Sequence, residues 1–297
     1  MMKKFYISDL DGTLLNPYGE VTSRSFDILN TLLSEGMDLT FATARTASTA
    51  LKILEGIPLQ IPVILMNGVA VYDTRKSAYT EEAGLQSEQS LAALEILANR
   101  AAPAFVYTIE ENQLFCYNPP FLNESMRQFR LHREERYSKK FTDISRYEEL
   151  AEERIIYFTL VGSKSELTPV YKALSSVSGL ECLLYEDVYE DDWFLEVHRK
   201  GVSKGTTALK LKDSLQAGEL IVFGDNLNDL PLFAAADYRF ATANGKEAVR
   251  QAADQIIGPN THDSVAEELW RLWKQEKRTF FMPRADASFR GEQDFGL

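Results

Sequence analysis

Lys4-Phe5-Tyr6-Ile7-Ser8-Asp9-Leu10-Asp11-Gly12-Thr13-Leu14 decides how the rest of the chain is read. A short apolar run, Phe5 to Ile7, ends in two carboxylates one residue apart and then a glycine. On an extended strand, residues i and i+2 point to the same face. The spacing therefore predicts Asp9 and Asp11 converging at the strand's end, with Leu10 turned away. Gly12 supplies the backbone freedom to leave the sheet sharply. Carboxylates this close repel unless a cation sits between them or one holds a proton. Both devices suit phosphoryl chemistry, in which a hard divalent ion takes oxygen ligands and an acid protonates a leaving group. Asp-Gly is also an ordinary turn dipeptide, so the stretch alone leaves turn and site open.

The segments that follow settle the grammar. Phe26, Leu29, Leu32 and Leu33 recur at helical spacing after Val21-Thr22-Ser23, and Gly36 ends that helix. Met37 to Ala42 reads as a second strand, closing in Thr43-Ala44-Arg45, with a helix from about Thr46 to Glu55. Val63 to Met66 reads as a third strand ending at Asn67-Gly68. Strand alternating with helix predicts a parallel sheet with helices on its faces, and ligands bind beyond the carboxyl ends of such strands. Asp9, Asp11, Thr43 and Asn67 fall there. Asn67-Gly68 is equally a hairpin signal, with Val69 to Tyr72 as the return strand.

From about Ala83 the rhythm changes. A helix marked by Leu91, Leu94 and Leu97 precedes a hairpin, Phe105 to Ile109 and Gln113 to Tyr117. A charged helix over about 121–135, a buried strand at Ile155 to Val161, a helix around Leu167 to Val177, and strands at Cys182 to Tyr185 and Trp193 to Val197 follow. This block reads as an inserted α+β domain. The parallel grammar then returns. Ser203-Lys204-Gly205 opens a helix, and Leu220 to Phe223 is a strand stopping at Gly224-Asp225-Asn226-Leu227-Asn228-Asp229. A last helix buries Val265, Leu269, Leu272 and Trp273. The expected fold is α/β: a Rossmann-like parallel-sheet core in two parts, 1–82 and 199–277, an α+β cap at 83–198, and a tail at 278–297. The tail's Phe280, Phe281 and Met282 are expected to dock on the protein's own surface or on a second subunit.

The 297 residues are 45% hydrophobic, ample for a sizeable core. The net charge of -12 argues against nucleic acid as a partner. Cys116 and Cys182 have no metal spacing, and a reduced, cytoplasmic setting is expected. Met1-Met2-Lys3-Lys4 is basic, but the short apolar run after it predicts no signal peptide, and no apolar run is long enough to span a membrane.

Separated segments thus supply the parts of a phosphoryl-transfer site. Asp9 is the expected nucleophile and Asp11 the expected acid and base. Asp225 is expected to hold Mg²⁺ with Asp9 and the backbone carbonyl of Asp11, with Asp229 orienting the metal site. Lys204 offers a cation at a helix N-terminus, and Thr43 offers a hydroxyl followed by amide donors. Arg45 and Asn67 are candidate substrate contacts. Each part alone has an ordinary reading, as surface lysine, helix cap or solvated turn; the conjunction and order carry the argument.

Asp9-Leu10-Asp11-Gly12-Thr13, Thr43, Lys204 and Gly224-Asp225-x-x-Asn228-Asp229 resemble the four motifs of the haloacid dehalogenase-like hydrolase superfamily. The position of the insert resembles the Cof-type subfamily, over residues 1 to about 276. The resemblance implies a Mg²⁺-dependent phosphatase of a small phosphorylated metabolite, such as a sugar phosphate, with a mobile cap that sets specificity. It implies phosphate contacts from the Leu10 amide, Thr43 with Ala44, Lys204 and Asn228. A sugar phosphomutase using the same aspartyl phosphate, and a catalytically idle phosphate-ligand-binding protein, are the alternatives. Two positions depart from the family pattern: Ala44 and Asn226 stand where glycine is usual, and Ala44 would be strained if its amide needed positive φ.

Overall fold

The structure, a computed structural model, describes residues 2–120, 122–189 and 191–281. Its first sheet has five parallel strands in the order Gln255–Ile257, Tyr238–Thr242, Glu219–Gly224, Lys4–Ser8, Leu39–Phe41. Alternation along the opening strand feeds two apolar layers. Tyr6 packs with Phe41, Phe223 and the helices Ser23–Ser34 and Ser264–Phe281 through Leu29, Leu32, Val265 and Leu269. Phe5 and Ile7 pack on the opposite face with Leu220, Val222, Ala208, Leu211 and Phe233. Burial on both faces is why these strands read as unbroken apolar runs.

Register places the site. Lys4 pairs with Glu219 and Ser8 with Phe223, so the two central strands end together, and the Asp9 amide donates to the Phe223 carbonyl at 3.0 Å. The residues that follow, Asp9 and Gly224-Asp225, therefore leave the sheet side by side.

The third strand departs from expectation. Val63–Leu65 meets the parallel sheet through a single parallel bridge, Ala42 to Ile64, and pairs antiparallel with Ala70–Asp73, which in turn pairs with Ala78–Glu82. Asn67-Gly68 is thus both a strand end and a hairpin. Met66 and Asn67 take left-handed φ of 50° and 54° there. Gly68 must be glycine, because a Cβ would lie 2.2 Å from the Ser203 carbonyl oxygen.

The inserted block forms a six-stranded sheet in the order Leu180–Glu186, Trp193–Arg199, Ile155–Gly162, Phe105–Glu110, Gln113–Asn118, Thr142–Asp143. All neighbours are antiparallel except the last pair, whose two-residue edge strand had no sequence signal. Val106, Phe158, Leu160 and Leu195 face the helices Ser87–Asn99 and Lys164–Leu174. Phe105, Tyr107 and Tyr157 face the other way, in an apolar cluster continuous with that of the parallel sheet. The last helix runs on through Phe281, beyond the point where the sequence suggested a tail. Met282 and the rest of the tail lie outside the described residues, as do the docking contacts expected of it.

Candidate active site

The opening strand ends at Ser8, and residues 10–14 wind into a tight turn with Gly12 at φ 77°. Asp9 and Asp11 therefore do not share a strand face, as their spacing predicted, and their carboxylates take different partners. The turn is set by approach distance. A Cβ on Gly12 would lie 2.3 Å from Asp225 Oδ2, so only glycine admits the second acidic segment. Thr13 Oγ1 donates to Asp225 Oδ1 at 2.6 Å.

Lys204 is the hub. Ser203 caps its helix, accepting from the Thr206 amide at 3.1 Å. Gly205 lets that helix press against the chain at Pro231, whose carbonyl oxygen would lie 2.0 Å from a Cβ. The lysine is 1% exposed, and its Nζ donates to Asp9 Oδ1 at 2.6 Å and Asp229 Oδ1 at 2.7 Å. Asp229 Oδ2 accepts from the amides of Asp225 and Asn226 at 2.9 and 3.0 Å. With both its oxygens held, Asp229 orients its neighbours.

Oxygens of Asp9, Asp225 and Asp229 lie within 4.8 Å of one another, all three residues buried. Burial, with Asp229 and Asp11 adding to it against Lys204, pushes the Asp9 carboxyl up to about 8. Burial and the Asp9 and Asp229 charges push Asp225 well above the carboxylate range. Burial alone would lower Lys204; Asp229 and Asp9 outweigh it and hold the ammonium charged. Three ionised carboxylates around one lysine would leave an excess of buried negative charge, which is why two of them hold protons when no cation is bound. An all-oxygen donor set of that charge fits a hard divalent cation.

Asp11 stands apart from that cluster. Arg45 grips it with Nε to Oδ2 at 2.8 Å and Nη2 to Oδ1 at 2.6 Å, and the Tyr189 hydroxyl donates to Oδ1 at 2.7 Å. Burial would raise its carboxyl, but Arg45 and Tyr189 bring it below the ordinary range. Tyr189 lies in the inserted block, in a stretch with no sequence signal, so the contact crosses between the two sheets' domains. Lys246 with Glu186 at 2.6 Å and Arg136 with Glu20 at 3.1 Å cross likewise.

The remaining candidates divide. Leu10 is fully buried. Thr43 is buried and its hydroxyl accepts from the Arg45 amide at 3.1 Å, while Ala44 and Arg45 line the cavity between the domains. Neither Ala44 nor Asn226 has positive φ, and Asn226 sits at -118°, so both departures from glycine are unstrained. Asn228 lines the cavity and donates to Asn67 Oδ1 at 3.1 Å. Asn67 is outside the cavity lining. Its Nδ2 donates to the Tyr157 hydroxyl at 2.9 Å and Glu196 Oε2 at 2.6 Å, and Tyr185 donates to the same oxygen at 2.6 Å. These bonds tie the core to the insert. The cavity's far wall carries Arg133, Lys139, Tyr107 and Phe129, none of which the sequence singled out.

A family profile described as haloacid dehalogenase-like hydrolase matches residues 6–269. Pyridoxal phosphate phosphatase YbhA of Escherichia coli is 26% identical over 270 residues, covering 88% of this chain and 96% of that protein. Phosphatase YwpJ of Bacillus subtilis is 24% identical over 293 residues, covering 91% and 99%. A solved haloacid dehalogenase-like hydrolase from B. subtilis superposes with a TM-score of 0.75 at 21% identity, over 90% of this chain and 99% of that one. No helix among the described residues is long and apolar enough to cross a membrane.

Proposed function

The chain belongs to the haloacid dehalogenase-like hydrolase family, in its Cof-type branch, and on that premise we propose a Mg²⁺-dependent phosphatase that cleaves a small phosphorylated metabolite through an aspartyl phosphate on Asp9. That it is a phosphatase follows from the family and its relatives; the metal, the intermediate and the substrate are our reading. The observation that carries it is Lys204, buried and bridging Asp9 and Asp229 beside Asp225. A lysine is sealed among carboxylates at that cost when the site must hold charge in fixed places.

In the first half-reaction an Asp9 oxygen attacks phosphorus, the P–O ester bond breaks, and the leaving oxygen takes a proton from Asp11. Asp11 is ionised against Arg45 and Tyr189 in the free enzyme and takes that proton up from a monoprotonated substrate phosphate as substrate binds. In the second, water attacks the phosphorus of the aspartyl phosphate and gives its proton to Asp11. The bond to Asp9 breaks and inorganic phosphate leaves. Arg45 and Tyr189 hold the Asp11 carboxylate in place for the proton it takes in that step. Lys204, the Leu10 and Ala44 amides, Thr43 and Asn228 are the proposed phosphate contacts. Mg²⁺, held by Asp9, Asp225 and the Asp11 carbonyl, would neutralise charge on the phosphoryl oxygens. We assign residues 83–198 to the cap, which closes the site against water. The relative named for pyridoxal phosphate and those named simply as phosphatases support a small phosphomonoester without choosing one.

Release of inorganic phosphate from p-nitrophenyl phosphate tests this. Turnover should vanish with chelator and return with Mg²⁺. Full activity in excess chelator would overturn the metal. Isomer in place of free phosphate from a sugar phosphate would make the enzyme a mutase, and phosphate-ligand binding with no turnover would make it an idle binder.

A further inference from the structure

The cap wall of the cavity holds two cations, Lys139 and Arg133, that form no ion pair among the described residues. Helix Glu124–Tyr137 ends at Ser138, whose left-handed φ of 52° turns the chain so that Lys139 points inward. Lys139 is 7% exposed. Its Nζ donates to the Tyr107 hydroxyl at 3.2 Å and lies 4.6 Å from the Tyr107 ring centre and 5.1 Å from that of Phe141. One helical turn back, the Arg133 guanidinium lies 3.7 Å from the centre of the Phe129 ring, its Nη1 beside His132 Nδ1. Among the described residues, neither makes an ion pair with a carboxylate.

Five acids line the cavity, and three of them, Asp9, Asp11 and Glu186, pair with Lys204, Arg45 and Lys246. Glu196 Oε2 accepts from Asn67 and Tyr185. Asp187 and Arg133 influence each other but form no ion pair, and Asp187 Oδ1 accepts from the Val188 amide at 2.7 Å. Ring faces soften a buried ammonium without cancelling its charge. Burial accordingly draws Lys139 down to about 8 and Arg133 to about 10. In a chain of net charge -12, free carboxylates are plentiful. Two adjacent inward cations left without one are a cost that an anionic ligand removes.

The reacting phosphoryl group does not meet that need. It must lie within reach of Asp9, on the core wall, where Lys204 already stands. The cap wall faces what the phosphoryl group is attached to. We propose that Lys139 and Arg133 form a second anion subsite, so that the substrate is a phosphomonoester whose leaving alcohol carries a further phosphate or carboxylate, its carbon frame packed against Tyr107 and Phe129. This rests on the phosphatase reading and narrows its substrate.

The test uses matched ligands: glycerol phosphate against phosphoglycerate for a carboxylate, and a hexose monophosphate against the corresponding bisphosphate for a phosphate. Binding to full-length Asp9→Asn protein, with Mg²⁺ and without turnover, is measured by calorimetry. A charged hydrogen-bond partner contributes enough for the doubly anionic member of at least one pair to bind about 10-fold or more tighter. Which pair shows the gain identifies the anion. Adding Lys139→Met or Arg133→Gln should erase the gain, and Lys139→Arg should keep most of it. Arg133 is only half-buried, so Arg133→Gln carries the test should Lys139→Met fail to fold. No preference in either pair, or a preference that survives Arg133→Gln, would overturn the subsite. Wild-type turnover of p-nitrophenyl phosphate, which lacks a second anion, reports on the phosphatase reading alone.

Discussion

The two walls of the cavity are built in opposite ways. On the core wall, Lys204, Asp9, Asp225 and Asp229 hold one another, and three glycine-permitted approaches, at Gly12, Gly68 and Gly205, bring their backbones together. On the cap wall, Lys139 and Arg133 rest on aromatic rings, and among the described residues neither forms an ion pair. A site for a reaction common to many substrates can be completed within the protein. A site for one substrate is finished by the substrate. On the proposed reading the contrast separates chemistry on the core from selection on the cap, and it can be broken at either wall.

The largest expected effect is at the proposed nucleophile. Asp9→Asn should lower turnover of every substrate alike, on the order of 10⁴-fold or more. Steady-state kinetics on an aryl phosphate and a sugar phosphate check this, and a loss on only one of them would put Asp9 among the selecting residues. Asp11→Asn should be graded by leaving group. A sugar alkoxide needs the proton and should lose about 10²–10⁴-fold. An acyl phosphate leaves without it, so the aspartyl phosphate should accumulate, seen by mass spectrometry as one phosphoryl group on the peptide holding Asp9. A label on any other residue would reassign the nucleophile.

Smaller effects belong to the seam between the walls. Asn67→Ala removes the donor to Glu196 and Tyr157 and the acceptor for Asn228. It should lower kcat/KM by about tenfold, the size of one or two buried hydrogen bonds, with Asp9 and Asp11 left in place. An unchanged kcat/KM would mean that closure does not pass through this residue.

The smallest is a pH effect. Burial raises the Glu196 carboxyl from 4.5 to about 7. A folded-state value above the unfolded one means that the unfolded chain releases this proton first. Its contribution to stability is whole below about 4.5 and is lost as pH rises through about 7. Glu196→Gln keeps an acceptor for Tyr185 and Asn67 and should flatten that part of the melting-temperature profile between pH 5 and 8. A slope identical to wild type would show that Glu196 does not titrate in that window.

Legibility followed the same division. Strand ends in a parallel sheet gather at one edge whatever the side chains are, so Asp9, Asp225 and the helix start at Lys204 could be placed together from their order in the chain. The reasoning for Asp11 failed in detail, because it assumed that the strand continued past Ser8, where the chain turns at once. Asn67 has contacts that its place in the chain did not suggest. Its position at a strand end is real, but its left-handed φ points the side chain into the seam with Glu196 and Tyr157. Arg133, Lys139 and Tyr189 gave no signal, since a charged helix and a polar loop look alike whether they face water or a cavity.

By itself, then, the sequence determined the α/β core, the inserted block and the acidic site, because apolar periodicity and strand-end position are properties of local order along the chain. Only the tertiary structure decided that Arg45 and Tyr189 share Asp11, that Asn67 joins core to cap, and that Arg133 and Lys139 line one cavity with Asp9. Those depend on which side chains meet across long separations, and no spacing in the chain encodes such a meeting.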